Sequence, residues 1–311
     1  MKPVQSREIV SVCTLLVSVV IAALAPIAVG TCSYAQQERT GDVLWSGESN
    51  GFRITWSGSN LIARKDAVVV FSARAFARQG LAHFVSVVKD PTTGKVPGCA
   101  YERRFRLLAV VGTLMSFSDQ YYSSCEKEAH PGGETRFTTI DLAKNGAVTY
   151  IGQDSLGEIK SSQLGKAVRL TDVFPEQEVY ERLRAHPLII QTLDAITGEP
   201  TPRTLRVLMS SLSGQRGSGQ NCFLIPNDLL SRFTLSRIED GRIEVKLGLP
   251  GDGPCRDDLT QVSLLFSIPS NLRIPLDRAK NSEEGFLMKD GDPLAGKSET
   301  IVRLRTGKGT K

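Results

Sequence analysis

The stretch RFTLSRIEDGRIEVKLGL (Arg232–Leu249) limits what this chain can fold into more than any other, because it spells out a β-hairpin. Glu239, Asp240 and Gly241 form a turn set between two alternating runs. In the second run Ile243, Val245, Leu247 and Leu249 point to one face, and Arg242, Glu244 and Lys246 to the other. A sheet with one apolar face needs something to pack against, so the rest of the chain has to supply a covering layer.

The first half reads as further strands. FRITW alternates Phe52, Ile54 and Trp56 against Arg53 and Thr55, and AVVVFSARAF (Ala67–Phe76), HFVSVV (His83–Val88), RFRLLAVVG (Arg104–Gly112) and AVTYIG (Ala147–Gly152) are β-branched runs. KDPTTGKVPG and HPGGE punctuate them with turn residues. The character changes at GKAVRLTDVFPEQEVYERLRAHP, where Pro175 suits the first turn of a helix, Glu176 and Glu178 suit its positive end, and His186 with Pro187 stops it. LIIQTLDAI (Leu188–Ile196) predicts a second helix, and Thr201–Pro202 opens a third with Leu205, Leu208, Met209 and Leu212 on one face. NCFLIP, RFTLSRI, RIEVKLGL and TQVSLLFSIP then predict four strands. The expected fold is α+β: a β-rich half over residues 36–165, as a sandwich or curled sheet, and an α+β half over 166–311 with about three helices packed on an antiparallel sheet.

Residues 1–35 read as an export signal and stand outside the fold. Lys2 and Arg7 give a positive start, Val10–Val29 is apolar, and Ser33 and Ala35 place small residues before a cut ahead of Gln36. A retained membrane anchor is the rival, since the apolar run approaches the roughly 20 residues that span a bilayer; Pro26 interrupts that run. Lipidation at Cys32 is disfavoured by Thr31 before it. Cleavage leaves no membrane span and predicts a periplasmic or secreted protein.

Cysteine usage points to the same compartment. Cys99, Cys125, Cys222 and Cys255 remain after cleavage, an even set that should pair in an oxidising environment, with three connectivities open. Cys99–Cys125 and Cys222–Cys255 are favoured because each closes a short loop within one half; a four-cysteine metal site lacks any CxxC. The net charge of +5 loses two cations and one anion with the signal, and so mild a balance excludes a nucleic-acid footprint.

Few residues advertise chemistry. WSGESNG contains a GxSxG at Gly47, Ser49 and Gly51, the spelling of a hydrolase nucleophile elbow, but an elbow needs a helix after the serine and FRITW is a strand. The expectation is a hairpin turn with Ser49 exposed and no histidine in reach, and WSGSN (Trp56–Asn60) repeats the turn one strand later. His83, His130 and His186 read as a strand residue, a turn residue and a cation at a helix C-terminus. His130 with Glu126, Glu128 and Glu134 has no metal-site spacing, and the loop at Asp290 and Asp292 lacks the glycine and third ligand of a calcium site, so neither a metal nor a cofactor is expected. Asp252, Asp257 and Asp258, or Glu283 and Glu284, could serve a glycan hydrolase only if paired across a bond, and read first as solvated loop charges. The more promising feature is a surface. Tyr101, Arg103, Arg104 and Arg106 follow Cys99, and Tyr121 and Tyr122 precede Cys125, so the expected disulfide gathers side chains of the types that dominate interfaces.

GKAVRLTDVFP, DGRIEVKLGLPGDGPCR and VSLLFSIPSNL, spread in that order over about residues 165–276, resemble the uncharacterised domain at the C-terminal end of the lysozyme-sensing anti-sigma factor RsiV and of some cell-wall deacetylases. The resemblance implies strands packed on helices and binding at the cell envelope, with a lysozyme-like protein as one partner; it brings no catalytic residues. Residues and resemblance together lead to the expectation of an exported, non-catalytic envelope protein that binds a protein or an anionic cell-wall polymer. A cell-wall glycan or ester hydrolase and a purely structural surface protein are the alternatives.

Overall fold

The structure is a computed structural model that describes residues 42–126, 132–145, 148–152, 155–159, 165–196, 202–217, 222–251, 258–288 and 298–306. The expected signal therefore lies outside the described residues, as do His130, Glu128, Cys255, Asp252, Asp257, Asp290 and Asp292.

The chain opens with a four-stranded meander, β1 (Val43–Ser49), β2 (Phe52–Ser57), β3 (Leu61–Lys65) and β4 (Val68–Ser72), paired in that order. Asn50 and Gly51 both take positive φ between β1 and β2, the tight turn whose twist suits a hairpin. Phe52, Ile54 and Trp56 are buried, as their alternation predicts. The second Trp-Ser-Gly turn is closed by Ser57, whose N–H and hydroxyl both donate to Asn60 O. The Asn60 side chain then accepts from the N–H of Arg74 and so ties the turn to the helix that follows.

That helix, α1 (Ala73–Val88), corrects the sequence reading of HFVSVV as a strand. Ser72 ends β4 and caps the helix, its hydroxyl accepting from the N–H of Ala75, so the run AVVVFSARAF is cut in two by its own serine. Ala73, Phe76, Ala77 and Gly80 then bury on one side at helical spacing, and that burial outweighs the β preference of Val85, Val87 and Val88.

The centre of the molecule is a larger antiparallel sheet. β5 (Cys99–Val111), β6 (Leu114–Cys125) and β7 (Gly132–Asn145) run side by side, a hairpin β8 (Val148–Gly152)–β9 (Ser155–Ile159) follows, and β10 (Gly165–Ala167) returns to pair with β7. Four helices come next: α2 (Leu170–Val173), α3 (Glu176–Ala185), α4 (Pro187–Ala195) and α5 (Leu205–Leu212). The third expected helix starts later than the sequence suggests, because Thr204 caps it by accepting from the N–H of Val207; Thr201 lies outside the described residues. The predicted hairpin is β11 (Phe233–Glu239) and β12 (Arg242–Pro250), extended by β13 (Leu259–Ser267). Here the sheet has three strands where four were expected: NCFLIP makes only isolated bridges, Phe223 to Gly251 and Leu224 to Arg216. A further helix, α6 (Ser270–Lys280), carries Pro275 inside it, which hid it from a reading that stops helices at proline.

The chain then goes back to the central sheet. β14 (Phe286–Leu287) and β15 (Thr300–Arg305) both pair with β5, giving the order β10-β7-β6-β5-β14 with β15 beside β5. Strands from either side of the composition change near residue 165 share this sheet, and the described residues fall in one compact unit. The central sheet separates two cores. On one face Phe105, Leu107, Met115 and Phe117 meet the meander and α1 around Phe71 and Phe76. Towards the other, Ala109, Val111 and Leu114 join the helices and β11–β13, where Phe174 stacks on Phe266 at 4.3 Å between ring centres. Each fully buried phenylalanine is worth roughly 1.5–3 kcal/mol against exposure, so these clusters anchor both layers to the sheet.

Candidate functional site

The six side chains singled out in the sequence all lie on β5 and β6, and the pairing of those strands decides where each one points. Cys99 faces Cys125, Tyr101 faces Ser123, Glu102 faces Tyr122, Arg103 faces Tyr121, Arg104 faces Gln120 and Arg106 faces Ser118. Cys99 and Cys125 are joined by a disulfide that closes this end of the hairpin. Cys222 is also disulfide-bonded, while Cys255 lies outside the described residues. Because strand side chains alternate, odd and even positions of β5 separate onto opposite faces.

Tyr101, Arg103 and Tyr121 go inward, under α1. Arg103 is completely buried, its guanidinium donating to Asp119 at 2.6 Å and lying 4.4 Å from the centre of the Phe76 ring. Asp119 also faces Arg136 at 3.6 Å, and Tyr101 packs between the rings of Phe84 and Tyr121. Gly80 makes this approach of the helix possible: a Cβ there would stand 2.6 Å from the Tyr101 hydroxyl and 2.8 Å from Arg103 Nη1. Three of the six expected surface residues therefore lie on the inner side, where Arg103 and Asp119 form a buried ion pair beneath α1.

Arg104, Arg106 and Tyr122 go outward. They share the outer face with Glu102, Gln120 and Ser118 and, across the pairing with β15, with Arg303 opposite Glu102 and Arg305 opposite Ala100. Arg104 is gripped from two sides, Nε donating to Glu102 at 2.7 Å and Nη1 to Glu299 at 3.5 Å, and no partner engages Nη2 among the described residues. Glu102 accepts a second bond from Arg303 Nε at 2.6 Å. Burial alone would raise the Glu102 carboxyl, but the hydrogen bonds and charges of Arg104 and Arg303 outweigh it and hold it below its ordinary value. The bond to Glu102 raises the Arg104 guanidinium, against partial burial. Both groups are ionised at neutral pH.

These residues line two adjoining hollows. One of about 410 Å³ is bordered by Glu102, Arg104, Gln120 and Tyr122. The next, of about 290 Å³, shares Arg104 and Gln120 and adds Arg106, Ser118, Thr135, Leu259 and Glu299. Tyr122 is 46% exposed at the rim. Four arginines against two glutamates leave the described part of this face cationic. Such an arrangement can hold an anionic group on a fixed guanidinium and lay an apolar ring face against its neighbour.

The other sequence candidates are placed elsewhere. Ser49 ends β1 directly before the turn, as expected, but it is 1% exposed and not open to solvent. The segment after α6 covers the turn: Gly285 N–H donates to Glu48 O, and Asn50 N–H donates to Glu284. No histidine bonds the Ser49 hydroxyl among the described residues. Glu284 is taken up by that bond and by Arg278 at 2.6 Å, which together lower its carboxyl, so it does not face Glu283 as a catalytic pair. His186 differs from its expected role as a helix-end cation: burial pushes its imidazole down, and Nδ1 accepts from the N–H of Leu188 as the cap of α4. His83 lies in α1, not on a strand. A separate cleft of about 320 Å³ at the far end of the sheet contains Asp141 and Asp172, but Asp141 is engaged by Lys144 and the Ala143 N–H, and Asp172 by the Arg169 N–H.

Sequence reasoning missed Glu102, Gln120, Glu299 and Arg303. Glu102 was within reach, since it shares the parity of Arg104 in YERRFR; Glu299 and Arg303 were not, because only the pairing of β15 with β5 brings them here. Among the described residues no helix is long and apolar enough to cross a membrane. Compared with known protein families, curated proteins and solved structures, the chain matches none.

Proposed function

We propose that this chain is an exported, non-catalytic protein of the cell envelope, periplasmic or secreted after loss of residues 1–35, that binds an anionic polymer across the outer face of β5, β6 and β15. The observation that carries the reading is Arg104, held in place by Glu102 and Glu299 in an open hollow beside the exposed Tyr122 ring, with one guanidinium nitrogen unengaged among the described residues. A fixed guanidinium loses little freedom on binding a carboxylate or phosphate, so it favours an anionic ligand over a neutral one. Two adjoining hollows that share Arg104 and Gln120 suit a chain more than a small enclosed molecule. The burial of Ser49 at the end of β1, with a second strand after the turn, speaks against the esterase alternative. The disulfide is in keeping with an oxidising compartment.

The test is retention on immobilised polygalacturonate, a polyuronate, at about 0.15 M salt, where exposed charges are screened beyond about 8 Å. Wild-type protein is retained and elutes as salt rises, and the Arg104→Ala/Tyr122→Ala double variant binds at least about tenfold more weakly, a loss of about 1.4 kcal/mol. Equal retention of the two proteins removes this face from the account.

A further inference from the structure

We propose that the open edge of β15 docks an extended, acidic peptide segment of a partner protein, which joins the central sheet as an added strand beside Arg303 and Arg305. This goes beyond the outer-face site, because recognition here runs through the main chain.

The direction of each backbone group follows from the bonds at the two ends of the strand. Thr306 N–H donates to Cys99 O at 3.0 Å, so even positions of β15 face β5. Ile301 N–H instead donates to Gly58 O at 3.3 Å, on the opposite side, so odd positions face away from β5. The pairing of Thr300–Arg305 with Phe105–Ala100 carries no register shift, and the alternation holds to the end of the strand. The turn of the meander closes the edge at its start, where Thr300 Oγ1 also donates to Ser57 O. Past that point the N–H and C=O of Arg303 and Arg305 point outward, and neither residue has a main-chain partner on that side among the described residues.

A free edge of this kind is a template for another strand. The side chains along it choose the occupant. Val302 and Leu304 pack inward under α1, while Arg303 is 69% exposed and Arg305 is exposed with no ion pair among the described residues. Arginines at alternate positions repel a basic strand and hinder a neutral one, and they pair with an incoming strand that carries carboxylates on the same face. The acceptable segment is therefore extended, with acidic residues at alternate positions. Arginines that merely shield the edge from pairing are the competing explanation, and the experiment separates the two.

The probe is a fluorescently labelled peptide, acetyl-Val-Glu-Val-Glu-Val-Glu-Val-amide, titrated by anisotropy with the full oxidised chain. Saturable binding is expected, with no binding of the matched Val-Lys peptide. Arg305→Ala weakens it about threefold by removing charge. Arg305→Pro weakens it a further fivefold or more, because proline removes an N–H that faces away from β5 and leaves the β5 pairing intact. Two peptides N-methylated at alternate residues, one in the odd and one in the even register, test the same bonds on wild-type protein, and the register whose methyl groups face the edge loses binding. No saturable binding of the acidic peptide, equal binding of the Arg305→Pro and Arg305→Ala variants, or undiminished binding of both N-methylated registers overturns the inference. Retention on polygalacturonate depends on Arg104 and Tyr122, so it persists if this inference alone fails.

Discussion

Replacing Arg103 and Arg104, neighbours in sequence, should have opposite consequences. Arg103 is fully buried against Asp119 and over the Phe76 ring, whereas 43% of the Arg104 side chain is exposed. Removing one member of a buried ion pair costs about 3–5 kcal/mol, because the other charge is left in a poor dielectric. Asp119 keeps Arg136 at 3.6 Å, which puts the Arg103→Ala cost near the lower end, about 3 kcal/mol. An exposed pair such as Arg104–Glu102 is worth about 0–1 kcal/mol. Urea unfolding followed through Trp45 and Trp56, both in the meander, reads the difference directly. With a slope of about 3 kcal/mol/M, Arg103→Ala lowers the midpoint by about 1 M and Arg104→Ala by no more than about 0.3 M. Polymer binding by the folded fraction goes the other way, kept in Arg103→Ala and lost in Arg104→Ala. An Arg103→Ala protein as stable as wild type, or one that stays folded and no longer binds, would refute the assignment of Arg103 to the interior.

Three further outcomes follow from the same geometry. Gly80→Ala gains up to about 1 kcal/mol of helix propensity but places a methyl group against Tyr101 and Arg103, both locked in place; overpacking of about 1–3 kcal/mol wins, and the urea midpoint falls. Cys99→Ser/Cys125→Ser opens a loop with a sequence separation of 26 and destabilises the protein by about 3.5 kcal/mol in the chain-entropy account, checked by the same denaturation. His186 titrates below the ordinary histidine value of about 6.5, as NMR of its ring protons will show. Its contribution to stability is fully present above about 6.5 and is lost as pH falls through the depressed folded value, since the unfolded chain takes up the proton first.

How much of this was legible in the sequence depends on the range over which each feature is decided. The β11–β12 hairpin is written locally, in Asp240-Gly241 and the alternation of Ile243 to Leu249, and it was read correctly. The meander turns at Asn50-Gly51 and Ser57–Asn60 are equally local. α1 was misread because a short window at His83–Val88 sees β-branched residues, while the cap that starts the helix stands eleven positions earlier at Ser72. The division of Tyr101 and Arg103 from Arg104 and Arg106 was available from parity alone: adjacent Tyr121 and Tyr122 cannot share a face of one strand. What no local pattern contains is the return of β14 and β15 to β5 across nearly 200 residues. That pairing brings Glu299 to Arg104 and Arg303 to Glu102, and it leaves the outward main chain of Arg303 and Arg305 without a partner among the described residues.

The most direct test of the outer-face reading is an NMR titration of the isotopically labelled, oxidised protein with a short oligogalacturonate. Saturable shifts concentrated at Glu102, Arg104, Gln120 and Tyr122 are expected, with Tyr101 and Arg103 little changed. Shifts centred on any other part of the fold, or no saturable change at all, would contradict it.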